Sequence, residues 1–253
     1  NYLHDMRSAI GKAILFHNFG PRIVEGNTIR YNLIVNAKRG VSAEVRDEIR
    51  NIHIYNNTMY AVERGFSSFF TPLTPSYFIY NNSIVREADV SNPGMTHYSF
   101  ADANHADPDI PPGLLSNYSS FYGVAGPQAR FGYSDGAVET LAQWQLRGFD
   151  INSLTSDPLF VGPLAGTPLP EAFMPQSSSP LRNAGRVGGV SAGTSVHIGA
   201  YATGNEIIGR GTASLPVPDL EPPRISDIQV IPVSQNTVII SWTSNEPATT
   251  RLI

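Results

Sequence analysis

The 253-residue chain contains no cysteine. That excludes a disulfide framework and any thiolate metal site, and it is compatible with a bacterial secreted protein without demanding one. Charge is also sparse. Only 15% of residues are Asp, Glu, Lys or Arg, Lys12 and Lys38 are the only lysines, and the net charge is −4. No basic stripe for nucleic acid or an anionic membrane can be assembled from so few cations. No apolar run approaches the roughly 20 residues that span a bilayer, and no basic stretch leads into an apolar one as in a signal peptide. Hydrophobic residues make up 41%, with 22 glycines and 20 prolines. The composition is that of a globular chain with one large domain or two smaller ones.

What is present is a repeat. Ile52–Tyr60 (IHIYNNTMY) and Tyr77–Val85 (YFIYNNSIV) resemble each other, and Arg30–Asn36 (RYNLIVN) and the opening Asn1–Asp5 follow more loosely. Asn32, Asn57 and Asn82 are spaced by 25 residues, and Asn1 precedes Asn32 by 31. Each copy alternates apolar and polar residues, which is the period of a strand, and no helical period runs between the copies. A 25-residue unit of strands and turns matches one coil of a solenoid, stacked on the next by parallel pairing. The recurrent Asn suits a bend, where it adopts the left-handed conformation and where equivalent amides form a ladder. This places Asn32, Asn57 and Asn82 about 5 Å apart per step. Asn56, Asn81 and Asn117 also begin N-x-S/T triplets, with turn and ladder roles as the simpler reading. Tyr55 and Tyr80 are expected to stack as an aromatic ladder. Ile54, Met59, Ile79, Ile84, Leu159 and Phe160 are the expected core, with Lys38, Arg39, Glu63 and Arg64 exposed.

These repeats, together with TLAQWQLRGFDINSLTSDPLFVGP (140–163), SSSPLRNAGR (177–186) and HIGAY (197–201), resemble the right-handed parallel β-helix proteins of the pectate-lyase-like superfamily, in their bacterial secreted form. The resemblance implies an all-β fold: a right-handed parallel β-helix over 1–203 with a short helix, expected at 137–146, and an irregular closing segment. It implies a secreted or cell-surface protein that binds or cleaves polysaccharide, as a lyase or glycoside hydrolase. Fold does not dictate activity, and non-catalytic adhesins and filament or surface-layer components share this architecture. The arginine motif and calcium-binding aspartates of pectate lyases are absent, as are the signature motifs of polygalacturonases. Residues 89–135 read as an irregular excursion.

A Pro/Gly-rich linker is expected over 204–223. Two alternating strands, 225–233 and 237–243, follow and resemble the start of a fibronectin type III or related immunoglobulin-like sandwich, with Trp242 in its core. Such a sandwich needs about 100 residues. The chain therefore reads as a piece of a longer protein, with self-association through the C-terminal strands or an uncapped first coil as one outcome.

Two groups of residues could carry chemistry. Uronate β-elimination needs a cation to neutralise the carboxylate and a base to take the C5 proton. Lys38, Arg39, His53, Glu63 and Arg64 offer these, because Lys38-Arg39 and Glu63-Arg64 follow equivalent strands and would stack on one face. An ordinary solvated turn accounts for the same residues. The second group lies in THYSFADANHADPDIPP. Asp102, Asn104, Asp107 and Asp109, with His97 and His105 nearby, have alternating oxygen ligands as in a calcium loop. Calcium stands ahead of zinc there, and a polar surface loop is the alternative.

Overall fold

In the computed structural model the chain is described over residues 1–8, 11–18, 23–45, 48–70, 76–87, 96–102, 110–111, 113–123, 129–132, 138–162, 164, 168–186, 196–209, 225–234 and 237–244. It divides into two units, Asn1–Arg210 and Gly211–Ile253. The first unit is all-β and built on three parallel sheets. Sheet 1 holds Tyr2–Met6, Leu33–Ala37, Thr58–Val62, Ser83–Arg86 and Ser120–Gly123. Sheet 2 holds Lys12–Asn18, Arg39–Val45, Arg64–Phe70, Thr96–Asp102 and Phe131–Gly132, and Val138–Glu139 is added antiparallel at its end. Sheet 3 holds Thr28–Arg30, Ile52–Tyr55, Ser76–Tyr80 and Gly113–Asn117. The chain visits sheets 1, 2 and 3 in turn, and each new strand pairs with the strand one visit earlier. The register carries the 25-residue period: Leu33 pairs with Thr58 and Thr58 with Ser83, while Ile54 pairs with Ile79.

Alternation decides which face is buried. Ile52 and Ile54 are fully buried while His53 and Tyr55, which alternate with them, are half-buried, and Tyr77 and Ile79 alternate with Phe78 and Tyr80 in the same way. The inward column Val41, Phe66, Tyr98 and Phe131 on sheet 2 meets Met59, Ile84 and Phe121 from sheet 1 in one core. Burying each such side chain is worth about 1.5–3 kcal/mol. Of the expected core, Ile54, Met59, Ile79, Ile84 and Phe160 are buried. Leu159 is half-exposed, because it takes a left-handed backbone conformation (φ 47°) in a turn held by Asp157.

The bend from sheet 3 to sheet 1 is a ladder of amides. Asn1 Nδ2 donates to Asn32 Oδ1 at 2.7 Å, Asn32 Nδ2 to Asn57 Oδ1 at 2.9 Å and Asn57 Nδ2 to Asn82 Oδ1 at 2.9 Å. Serine takes over at the next steps: Ser119 Oγ accepts from the Asn82 amide N–H and Ser153 Oγ from that of Ser119. The residue before each ladder position, Tyr31, Asn56, Asn81 and Tyr118, has φ of 50–55°. That conformation costs Asn less than most residues.

The sequence places a helix at 137–146, but the structure starts it at Leu141 and ends it at Leu146, with Val138 and Glu139 in a strand. Thr140 is the reason. Its side chain caps Gln143 N–H and Gln143 returns a bond to the Thr140 N–H, a capping box that fixes the start. The helix carries Trp144 into the end of the core, stacked 4.8 Å from Phe131 and 4.6 Å from Phe149. Trp144 Nε1 donates to the buried carboxylate of Asp150, which also accepts from Ser116 at 2.6 Å and Ser153 at 2.7 Å. Burial pushes the Asp150 pKa up to about 6 against these bonds.

The segment after Leu154 covers the outer face of sheet 1. Phe160, Phe173, Leu181, Ile198 and Tyr201 form a second core with Leu33, Val35 and Val85. Asn81 bonds both the N–H and the carbonyl of Arg186, and Asn56 donates to the carbonyls of His197 and Gly199. Asn56 and Asn81 are therefore buried and committed, which removes them as glycosylation acceptors in the folded chain.

In the second unit, Ile225–Ser234 and Thr237–Ser244 pair antiparallel. Trp242 falls on this hairpin, and its side chain lies outside the described residues.

Candidate functional site

Sheet 2 begins where the chain turns off sheet 1, and its first positions carry cations. Lys12, Arg39 and Arg64 are register partners, followed by Thr96, so three cationic residues stand in a row one strand apart, about 4.8 Å per step. Gly40 and Gly65 sit next in line. A Cβ on Gly40 would lie 2.5 Å from Met59 Sδ and 2.6 Å from the Gly65 carbonyl, so the turn is tight enough to exclude any side chain. In the neighbouring strand His97 falls between Thr96 and Tyr98, the register partners of Arg64 and Phe66.

The row is embedded in carboxylates. Glu44 Oε1 accepts from Lys12 Nζ at 2.5 Å and from Arg39 Nη1 at 3.0 Å. Lys38 and Glu63 are 3.8 Å apart, and Arg7 donates to Glu87 at 2.5 Å and to the Ala61 carbonyl. All of these side chains are half-buried, where the sequence places Lys38, Arg39, Glu63 and Arg64 in solvent. Burial, aided by the like charge of Arg39 and opposed by Glu63, holds the Arg64 guanidinium below its ordinary pKa. Pairs of this kind contribute about 0–1 kcal/mol each, so they are a minor part of what holds the coils together.

The structure thus brings Lys38, Arg39, Glu63 and Arg64 together and adds Lys12, Glu44 and Arg7. Glu44 was not legible as a member. Counted in twos from Arg39 it belongs to the opposite face, yet its carboxylate reaches both Lys12 and Arg39. His53 does not join them. It lies on sheet 3, its ring stacked on Phe78 at 4.6 Å and 7°. Tyr55 and Tyr80 stack beside it at 4.8 Å and 4°, forming the expected ladder.

The proposed metal loop is only partly in view. Asn104, His105, Asp107 and Asp109 lie outside the described residues, as does the side chain of Asp102. His97 is not a ligand: its Nδ1 accepts from the Arg130 N–H at 3.0 Å and its Nε2 donates to the Tyr122 carbonyl at 2.9 Å. Burial lowers its pKa to about 3, and the neighbouring Arg86 acts in the same direction, so the ring is neutral and ties one coil to the next. Among the described residues, no group of three or more His, Asp or Glu is placed to hold a metal ion. Compared with known proteins, the chain matches no family model, no curated protein and no solved structure.

Proposed function

We propose that 1–203 is a right-handed parallel β-helix of the pectate-lyase-like kind, secreted or held at the cell surface, that binds or cleaves polysaccharide across the outer face of sheet 2. The fold reading rests on three parallel sheets visited in turn, and parallel crossovers are right-handed in about 98% of cases. The observation that carries the functional reading is the in-register row Lys12, Arg39 and Arg64. A polysaccharide presents charges or hydroxyls at a repeat, and a row with a fixed step along the sheet meets several units at once. For a uronate, the row supplies the cations that neutralise the carboxylate.

The test is binding and cleavage of alginate, polygalacturonate and neutral glucans, read by affinity electrophoresis and by absorbance of unsaturated product. Arg39→Ala is expected to weaken binding of at least one polymer tenfold or more. Indifference of every polymer to Arg39→Ala would remove this reading.

A non-catalytic extracellular role is the second reading, and the hairpin Ile225–Ser244 favours it. Two strands are marginal alone. As the first strands of an immunoglobulin-like sandwich, or by strand addition between copies, they would give a module for assembly.

A further inference from the structure

The two aromatic columns on sheet 3 stop abruptly. His53 lies below Phe78 and Tyr55 below Tyr80, each pair stacked ring on ring. One strand further on, the register partners are Leu115 above Phe78 and Asn117 above Tyr80. Both side chains are shorter than the rings beneath them. The outer halves of the Phe78 and Tyr80 faces are left as a ledge, and Leu115 stands 62% exposed at its back. Gly148, which borders the ledge, contributes no side chain, and Phe149 forms the far wall, fixed by its stack on Trp144. The space so formed is about 490 Å³, within the range of ligand sites.

Polar groups stand at the rim. The Arg186 guanidinium lies 5.9 Å from the centre of the Tyr80 ring, and the Asn81 bonds to its backbone N–H and carbonyl hold its main chain in place. Asn117 Oδ1 accepts from the Tyr118 and Asn152 N–H groups, at 2.9 Å and 2.8 Å. That fixes the amide orientation and leaves Nδ2 as the free donor of a residue that lines the space.

We infer that this ledge is a saccharide-binding site, taking one pyranose unit whose C–H face stacks on Phe78 while its hydroxyl groups accept from Asn117 Nδ2 and Arg186. A pyranose has one apolar face and a polar rim, which is the arrangement of the site: an aromatic floor with donors at the edge. The site lies on sheet 3, separate from the cation row on sheet 2, and it does not depend on that row.

The experiment is calorimetric titration of the full chain with four hexasaccharides: cellohexaose, xylohexaose, mannohexaose and hexagalacturonate. At least one is expected to bind saturably, with Phe78→Ala and Leu115→Trp each weakening it tenfold or more. Leu115→Trp is the key variant, because it fills the ledge from an exposed position and leaves the core untouched. Leu146→Trp, at an 89% exposed position on the helix, is expected to change nothing. Absence of binding by all four sugars overturns the site, as does failure of Leu115→Trp to weaken any sugar that binds, including the case in which every bound sugar is weakened by Arg39→Ala alone and so belongs to sheet 2.

Discussion

Asn57 Nδ2 donates to Asn82 Oδ1 across 2.9 Å, although the two residues are 25 positions apart. The same nitrogen reaches the Ile29 and Tyr55 carbonyls, and Asn57 Oδ1 accepts from both nitrogens of Asn32. No part of this amide meets solvent. Asn57→Ala therefore leaves buried donors and acceptors of three coils without partners, at about 1–3 kcal/mol for each unsatisfied group. A loss of at least about 3 kcal/mol is expected in urea unfolding. A loss below about 1 kcal/mol would show that the ladder is incidental.

Gly65 tests the tightness of the bend from sheet 1 to sheet 2. An added Cβ would sit 2.6 Å from Ile84 Cγ2 and 2.7 Å from the His97 carbonyl, and the carbonyl belongs to a paired strand with little room to retreat. Gly65→Ala is expected to destabilise by about 1–3 kcal/mol, as overpacking does. It should also disturb Arg64, visible as weaker binding of any polymer held by the cation row.

Two buried groups bend the pH dependence of stability in opposite directions. The folded-state pKa of Asp150 is raised from 3.8 to about 6, so the folded chain keeps a proton that the unfolded chain releases. Its contribution is greatest below pH 4 and is lost as the pH climbs through 6. The pKa of His97 is lowered from 6.5 to about 3, so the unfolded chain takes up a proton that the folded chain refuses. Its contribution is present above pH 6.5 and is lost as the pH falls towards 3. Between pH 4 and 6 the slopes oppose each other, each up to about 1.4 kcal/mol per pH unit. Asp150→Asn is expected to leave stability rising with pH across this window, and His97→Gln to leave it falling. Denaturant midpoints at pH 4, 5 and 6 read both, and parallel profiles for the two variants would contradict the assignment.

The sequence by itself determined the strand period, the 25-residue repeat, the ladder of Asn32, Asn57 and Asn82, and the inward set Ile54, Ile79, Met59 and Ile84. These follow from local alternation and from like residues stacking on like, which need no knowledge of the rest of the chain. At Gly40 and Gly65 the space a side chain would need is taken by Met59 and Ile84, side chains of another sheet, and Glu44 joins the cation cluster through Lys12 and Arg39, contacts that strand alternation alone does not announce. His97 looked like a metal ligand because its partners, the Arg130 N–H and the Tyr122 carbonyl, are backbone groups that no side-chain pattern announces. The ledge on sheet 3 likewise came from a difference in side-chain length between partners 37 residues apart, Phe78 and Leu115. Periodic contacts are written in the order of residues. Closing contacts, and the spaces left where a column of side chains ends, arise only when one coil is laid against the next.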